Sequence, residues 1–85
     1  MKYSLYILKS QVVDRFYVGS TENVERRLSY HNTIEKGYTS RYRPWALVFK
    51  QEFENKALAQ VAERKIKKWK SRKMIEKIIR GEIKL

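Results

Sequence analysis

The 85-residue chain contains no cysteine, which excludes a disulfide framework and a thiolate zinc site and is compatible with a reducing compartment. It has one histidine, too few nitrogen ligands for an all-protein zinc cage. Three glycines and one proline leave no glycine-rich phosphate loop, and neither a serine nucleophile elbow nor a cysteine nucleophile is present. No apolar run approaches the roughly 18 residues of a membrane span, and the opening MKYSLYILKS is too short and too polar for a signal peptide. The expectation is a soluble, cytoplasmic protein with no membrane partner.

Acidic residues are also scarce. Nine Asp and Glu stand against 20 Lys and Arg, a formal charge of +11. Such a chain attracts polyanions, nucleic acid or an anionic surface, and charge alone does not choose between them. With 42% hydrophobic and 13% aromatic residues, a packed domain is expected and a disordered basic arm is not. The length fits one domain over residues 1–85 with a thin core.

Residues 3–9 (YSLYILK) and 15–20 (RFYVGS) are rich in β-formers, and the polar stretch 10–14 between them predicts an antiparallel hairpin. Thr21 is a candidate cap for a helix from about Glu22 to Thr33, with Glu22 and Glu25 in its first turn and Val24 and Leu28 inside. The segment IEKGYTSRYRP reads as a loop, and WALVFKQEF as a third strand. Asn55 caps a second helix with Leu58, Val61, Ala62, Ile66 and Trp69 at the spacing of a buried face. Ser71 caps a short third helix with Met74, Ile75, Ile78 and Ile79 inside, stopped at Gly81. The order β-β-α-β-α-α does not suit a doubly wound parallel sheet, so the class is α+β: a three-stranded antiparallel sheet flanked by three helices.

Three side chains stand out for chemistry. Arg27 and His31, four apart, project from neighbouring positions on helix one. Any basic amphipathic helix offers a surface arginine, and a lone histidine is commonly a partly buried polar residue. Glu63 is an acidic residue in a basic helix, at the margin of its apolar face. It either points into a cleft or pairs with Lys67 at i,i+4. A hard cation such as Mg²⁺ keeps most of its waters and can sit on one carboxylate plus substrate phosphate oxygens, so one glutamate suffices for a phosphodiester substrate.

SLY at 4–6, YVG at 17–19, Arg27 ten residues after Tyr17, and the glutamate of ERKIKKW together resemble the GIY-YIG nuclease family. The likeness is to small standalone members and to the catalytic module of the excinuclease C subunit and phage homing endonucleases. Ser4 stands where the first motif has glycine, Leu5 and Val18 exchange one apolar residue for another, and no asparagine follows Asn55. The resemblance implies a sheet bearing Tyr6 and Tyr17, with Tyr17 as general base, Tyr6 as a supporting or substrate-positioning group, Arg27 on the scissile phosphate, and Glu63 holding one Mg²⁺ or Mn²⁺. His31 falls where members carry His or Tyr. A tyrosine with pKa near 10 is ionised to about one part in a thousand at pH 7, so this role needs positive charge nearby. Gly19 either leaves room behind Tyr17 for substrate or a helix, or simply ends a strand.

Lys36, Arg41 and Arg43, with Tyr38 and Tyr42 between them, and the run containing Arg64, Lys67 and Lys68 are candidate substrate contacts. Tyr42 and Trp45 serve equally as core edge. No recognition helix or finger reads bases, which points to branched, flap or single-stranded DNA over a defined duplex site, with a protein partner for targeting. A metal-dependent, structure-selective endonuclease of DNA repair or recombination is the first reading. A catalytically weak or inactive nucleic-acid-binding module, or an accessory protein on structured RNA, fits the same charge.

Overall fold

The computed structural model describes residues 2–33 and 37–85. Its elements are β1 (Tyr3–Ser10), β2 (Phe16–Thr21), α1 (Val24–Thr33), a 3₁₀ turn (Tyr38–Tyr42), β3 (Trp45–Phe53), α2 (Lys56–Trp69) and α3 (Arg72–Ile79). The strands form one antiparallel sheet in the order β2-β1-β3. The expected α+β class and element order are what the chain adopts.

β1 is the central strand, and this explains its unbroken apolar run. Leu5, Tyr6, Ile7 and Leu8 are all buried, because helices cover both faces of the sheet. Alternation along β1 and β2 sorts side chains into two layers. Leu5, Ile7 and Val18 pack with Ala62, Ile66 and Ile78 of α2 and α3. Tyr6 and Leu8 pack with Val24 and Trp45, flanked by Tyr17, Leu28 and Tyr42, on the α1 side. A register irregularity between Ile7 and Leu8 leaves Val48 of β3 as the extra residue of a bulge.

Three local expectations are corrected. Thr21 still pairs with Ser4 in the ladder, and its Oγ1 accepts from the Asn23 amide. Asn23 is the cap, its Oδ1 accepting from Arg26 N at 2.9 Å, so α1 starts at Val24 and Glu22 precedes it. Leu58 and Val61 are about half exposed, whereas Ala59, Ala62 and Ile66 form the buried stripe of α2. Small alanines let the helix approach the sheet closely, and that contact rotates the buried face toward Glu63. Within the segment read as loop, residues 38–42 form the 3₁₀ turn. The expected caps of the later helices hold: Asn55 Oδ1 accepts from Leu58 N and Ser71 Oγ from Met74 N. Gly81 ends the chain's helical part with φ of +79°, a conformation glycine adopts without steric cost.

Candidate active site

Tyr6 and Tyr17 lie on the α1 face of adjacent strands, with ring centroids 6.3 Å apart. His31 packs into the angle between them, 4.7 Å from the Tyr17 ring, and its Nε2 is 3.0 Å from the Tyr6 hydroxyl. Both Tyr6 and His31 are 1% exposed. They form the inner wall of the cluster, and the half-buried Tyr17 stands at its surface. Burial is the main cause that pushes the Tyr6 phenol up to about 12; the Arg27 guanidinium opposes it, and the neighbouring Tyr17 adds to it. Tyr6 is therefore a neutral hydroxyl at physiological pH, suited to hold and donate a proton.

Gly19 faces Tyr6 across the β1–β2 ladder. A Cβ there would sit 2.6 Å from the Tyr6 hydroxyl oxygen and 2.7 Å from its Cζ. The space beside this glycine is filled by the phenol of Tyr6, not kept open for substrate or a helix. Gly19 is buried, and its absent side chain sets where the tyrosine lies.

Arg27, on the first half of α1, is half-buried with its guanidinium 4.7 Å from the centroid of Tyr30. Desolvation works against its charge, but hydrogen bonding to Tyr6 and the fields of Tyr6, Tyr17 and Tyr30 outweigh it and hold the pKa above the ordinary arginine value. A permanent planar cation thus borders a depression of about 330 Å³ shared with Thr21, Arg26, Ser29 and Tyr30.

Glu63 arrives from the other side of the sheet. Its Oε1 accepts from Ser20 Oγ at 2.7 Å and its Oε2 from Lys67 Nζ at 2.7 Å. Ser20, by alternation, points to the α2 face, opposite Tyr17 and Gly19. The two faces meet here because β2 is an edge strand. The Lys67 ammonium lies 5.9 Å from the Tyr17 ring centroid, and the Glu63 charge reaches Tyr6. Of the two expectations for Glu63, the i,i+4 pair with Lys67 is what forms.

Among the described residues no group of three or more His, Asp or Glu gathers as a metal cage. Glu63 nevertheless fits a hard cation bound largely through water and substrate oxygens. Its side chain is one-fifth exposed, and its Oε2 already takes a cationic partner, the ammonium of a half-exposed lysine.

The remaining expected substrate contacts scatter. Arg43 is half-buried, its Nε donating to the His31 carbonyl at 2.7 Å, so it fastens the 3₁₀ segment to α1. Arg41 is exposed on the 3₁₀ turn, and Arg64 and Lys68 are exposed on α2. The latter two are turned about 100° and 140° around the helix from Glu63. Lys36 and the side chain of Tyr38 lie outside the described residues. Tyr42 and Trp45 meet edge to face at 6.4 Å as core edge.

Two residues of the site escaped the sequence reading. Ser20 orients Glu63, and its only signal is adjacency to YVG. Asn32 clamps α1 to β3, donating Nδ2 to the Trp45 carbonyl at 3.1 Å and accepting from the Trp45 amide at 2.6 Å. No spacing pattern marks it.

Residues 2–77 match the GIY-YIG catalytic domain. This chain belongs to that family. A solved relative agrees in fold: the solution NMR structure of the UPF0213 protein BH0048 from Bacillus halodurans superposes with a TM-score of 0.61 at 29% identity, covering 96% of this chain and 86% of that one. The UPF0213 protein SH2523 of Staphylococcus haemolyticus is 35% identical over 78 residues, 91% of this chain and 94% of its own length. The structure-specific endonuclease subunit SLX1 of Chaetomium globosum is 50% identical over 52 residues, 54% of this chain. The match takes in 16% of that longer protein. This GIY-YIG chain is thus an endonuclease-family domain, matched almost end to end by a small relative and in one segment by a large one.

Proposed function

We propose that the chain is a divalent-metal-dependent endonuclease that hydrolyses phosphodiester bonds in branched, flap or single-stranded DNA, in repair or recombination. The observation that carries this reading is that Arg27, Tyr17 and Glu63 all act on the buried Tyr6, which is bonded to His31, while Lys67 of the Glu63 pair lies 5.9 Å from the Tyr17 ring centroid. The segment shared with a relative named as a structure-specific endonuclease subunit supports the substrate class. The word subunit in that name also supports a partner protein for targeting; the proposed setting is the cytoplasm.

In this reading Arg27 grips two oxygens of the scissile phosphate with its planar fork and offsets the charge that builds in the pentacovalent transition state. Tyr17 accepts the proton of the attacking water, helped by the cationic charge of Lys67 and Arg27. Tyr6 and His31 do not touch substrate; they hold Tyr17 and Arg27 in place. Glu63, oriented by Ser20, would hold Mg²⁺ or Mn²⁺. When bound, that ion supplies Lewis-acid charge to the phosphate and the departing 3′ oxygen.

A second reading, a nucleic-acid-binding module with weak or no catalysis, is favoured by one feature: both Glu63 oxygens already have protein partners. Labelled duplex, flap, branched and single-stranded DNA, incubated with Mg²⁺ or Mn²⁺, separates the two. The nuclease reading expects cutting of at least one non-duplex substrate, lost in Arg27→Ala and Glu63→Ala. Binding without cutting, or equal cutting by both variants, supports the second reading.

A further inference from the structure

A second cavity adjoins the tyrosine cluster. It has a volume of about 550 Å³ and opens between the start of β2, the end of α2 and the start of α3. Phe16, Val18, Ile66 and Ile75 make an apolar floor, and Tyr17 lines it too, so the groove begins where the candidate active site ends. Its rim is cationic, with Arg15, Lys67, Lys70 and Arg72 against a single carboxylate, Asp14. Asp14 pairs with Arg72 and holds that guanidinium 5.6 Å from the Phe16 ring centroid. Lys70 has no carboxylate partner among the described residues and takes up the left-handed conformation (φ 48°) that ends α2. A side chain rarely adopts this conformation outside glycine and asparagine. Here it sets an ammonium at the junction of the two helices.

An apolar floor and a cationic rim complement a ligand with one flat apolar face and one anionic group. Neither a free inorganic anion nor a lipid tail satisfies both halves. The volume falls in the range of about 300–1,000 Å³ usual for small-molecule sites. We infer that this groove takes one unpaired nucleotide of the substrate strand, next to the phosphate held at Tyr17 and Arg27. The base lies on Phe16 and Ile75, the half-buried part of the floor, beside the Arg72 guanidinium, and the phosphate meets Lys70 and Lys67. The inference rests on the nuclease reading for its position relative to the cut. It explains physically why a domain without a base-reading element would prefer flaps and single strands: paired bases cannot leave the stack to fill the groove without losing their pairing and stacking.

The test is a methyl-detected NMR titration of the intact chain with thymidine 5′-monophosphate, with thymidine and inorganic phosphate as controls. The nucleotide is expected to shift the Ile75 methyls most and the Ile66 and Val18 methyls beneath the floor less, with inorganic phosphate leaving all three in place. Lys70→Gly removes the ammonium while relieving the positive φ, so it should bind the nucleotide about fivefold more weakly with no loss of thermal stability. Identical shifts with phosphate and nucleotide, shifts confined to the Arg27–Tyr30 depression, or unchanged affinity in Lys70→Gly would overturn the assignment. The outcome is independent of catalysis. Cleavage of flap DNA with silent groove methyls removes the groove and keeps the nuclease, whereas groove binding with no cleavage of any DNA does the reverse.

Discussion

The two faces of the sheet are built from different chemistry. Beneath α2 and α3 the fully buried centre is aliphatic, Leu5, Ile7, Val18, Ile66 and Ile78, ringed by the partly buried Phe16, Phe49, Phe53 and Trp69, with no polar side chain in the cluster among the described residues. Beneath α1 the contacts are mainly aromatic and hydrogen-bonded, with Tyr6, Tyr17, His31 and Trp45 in mutual ring contact. A buried phenol bonded to a buried imidazole costs desolvation that an aliphatic pair does not. In the proposed mechanism the α1 face carries the tyrosines and Arg27, while the α2–α3 face holds the sheet and supplies Glu63. Glu63 and Lys67 link the two, because only at the edge strand β2 can groups from opposite faces approach one another.

This division is sharpened first by function. Tyr17→Phe should lower the rate of DNA cleavage by about 10²- to 10⁴-fold, as expected when a proton acceptor is lost, with nearly unchanged thermal stability. A variant that cuts as the parent does would remove Tyr17 from the chemistry. The reciprocal change is Ile66→Ala on the aliphatic face, which should cost about 2–5 kcal/mol in denaturant unfolding. For a domain of this size that is a large share of the total. If the two faces were equivalent, Tyr17→Phe would destabilise by a comparable amount.

Gly19→Ala probes the boundary between packing and chemistry. The added methyl would overlap the Tyr6 phenol, with neighbours at 2.6 and 2.7 Å, and overpacking of this kind costs about 1–3 kcal/mol. Combining it with Tyr6→Phe should recover part of that loss, because one of the two close atoms is gone. Strict additivity would mean that the strand, not the phenol, absorbs the methyl.

The Tyr6 phenol also makes a pH prediction. Its folded-state value of about 12 lies above its ordinary value of 10.0. Between those limits the unfolded chain releases the proton and the folded chain keeps it. Its contribution is full below pH 10 and falls away toward pH 12, at up to about 1.4 kcal/mol per pH unit. The stability of Tyr6→Phe, measured alongside across the same range, should fall less steeply; parallel curves would place the phenol in solvent-like surroundings. The smallest effect belongs to Val61, 54% exposed on the outer side of α2. Val61→Ser should change stability by no more than about 0.5 kcal/mol, whereas a loss of 2 kcal/mol or more would return it to the core that its spacing suggested.

Most of the fold was legible locally. The strands, the Asn55 and Ser71 caps and the element order follow from propensity, capping chemistry and period, all of which act over a few residues. The misreadings were also local in origin: Thr21 and Asn23 are both competent caps, and only the ladder pairing of Thr21 with Ser4 decides between them. Leu58 and Val61 have the right spacing for a buried stripe, but the close approach of Ala59 and Ala62 to the sheet turns them outward.

The site divides the same way. Tyr6, Tyr17, Arg27, His31 and Glu63 could be named as candidates from the motif, because it is defined by residue type and spacing along the chain. Arg43, named as a phosphate contact, bonds a helix carbonyl through its Nε, while Asn32 and Ser20 carried no pattern at all. By itself the sequence determined the basic charge, the antiparallel α+β order and the residues with reactive side chains, since each follows from composition or from neighbours along the chain. Only the tertiary structure decided that Gly19 makes way for Tyr6, that Glu63 meets Ser20 at the β2 edge, and that a cationic groove adjoins Tyr17. Those facts depend on distances between residues as many as 43 positions apart, as for Ser20 and Glu63, and no local periodicity encodes them.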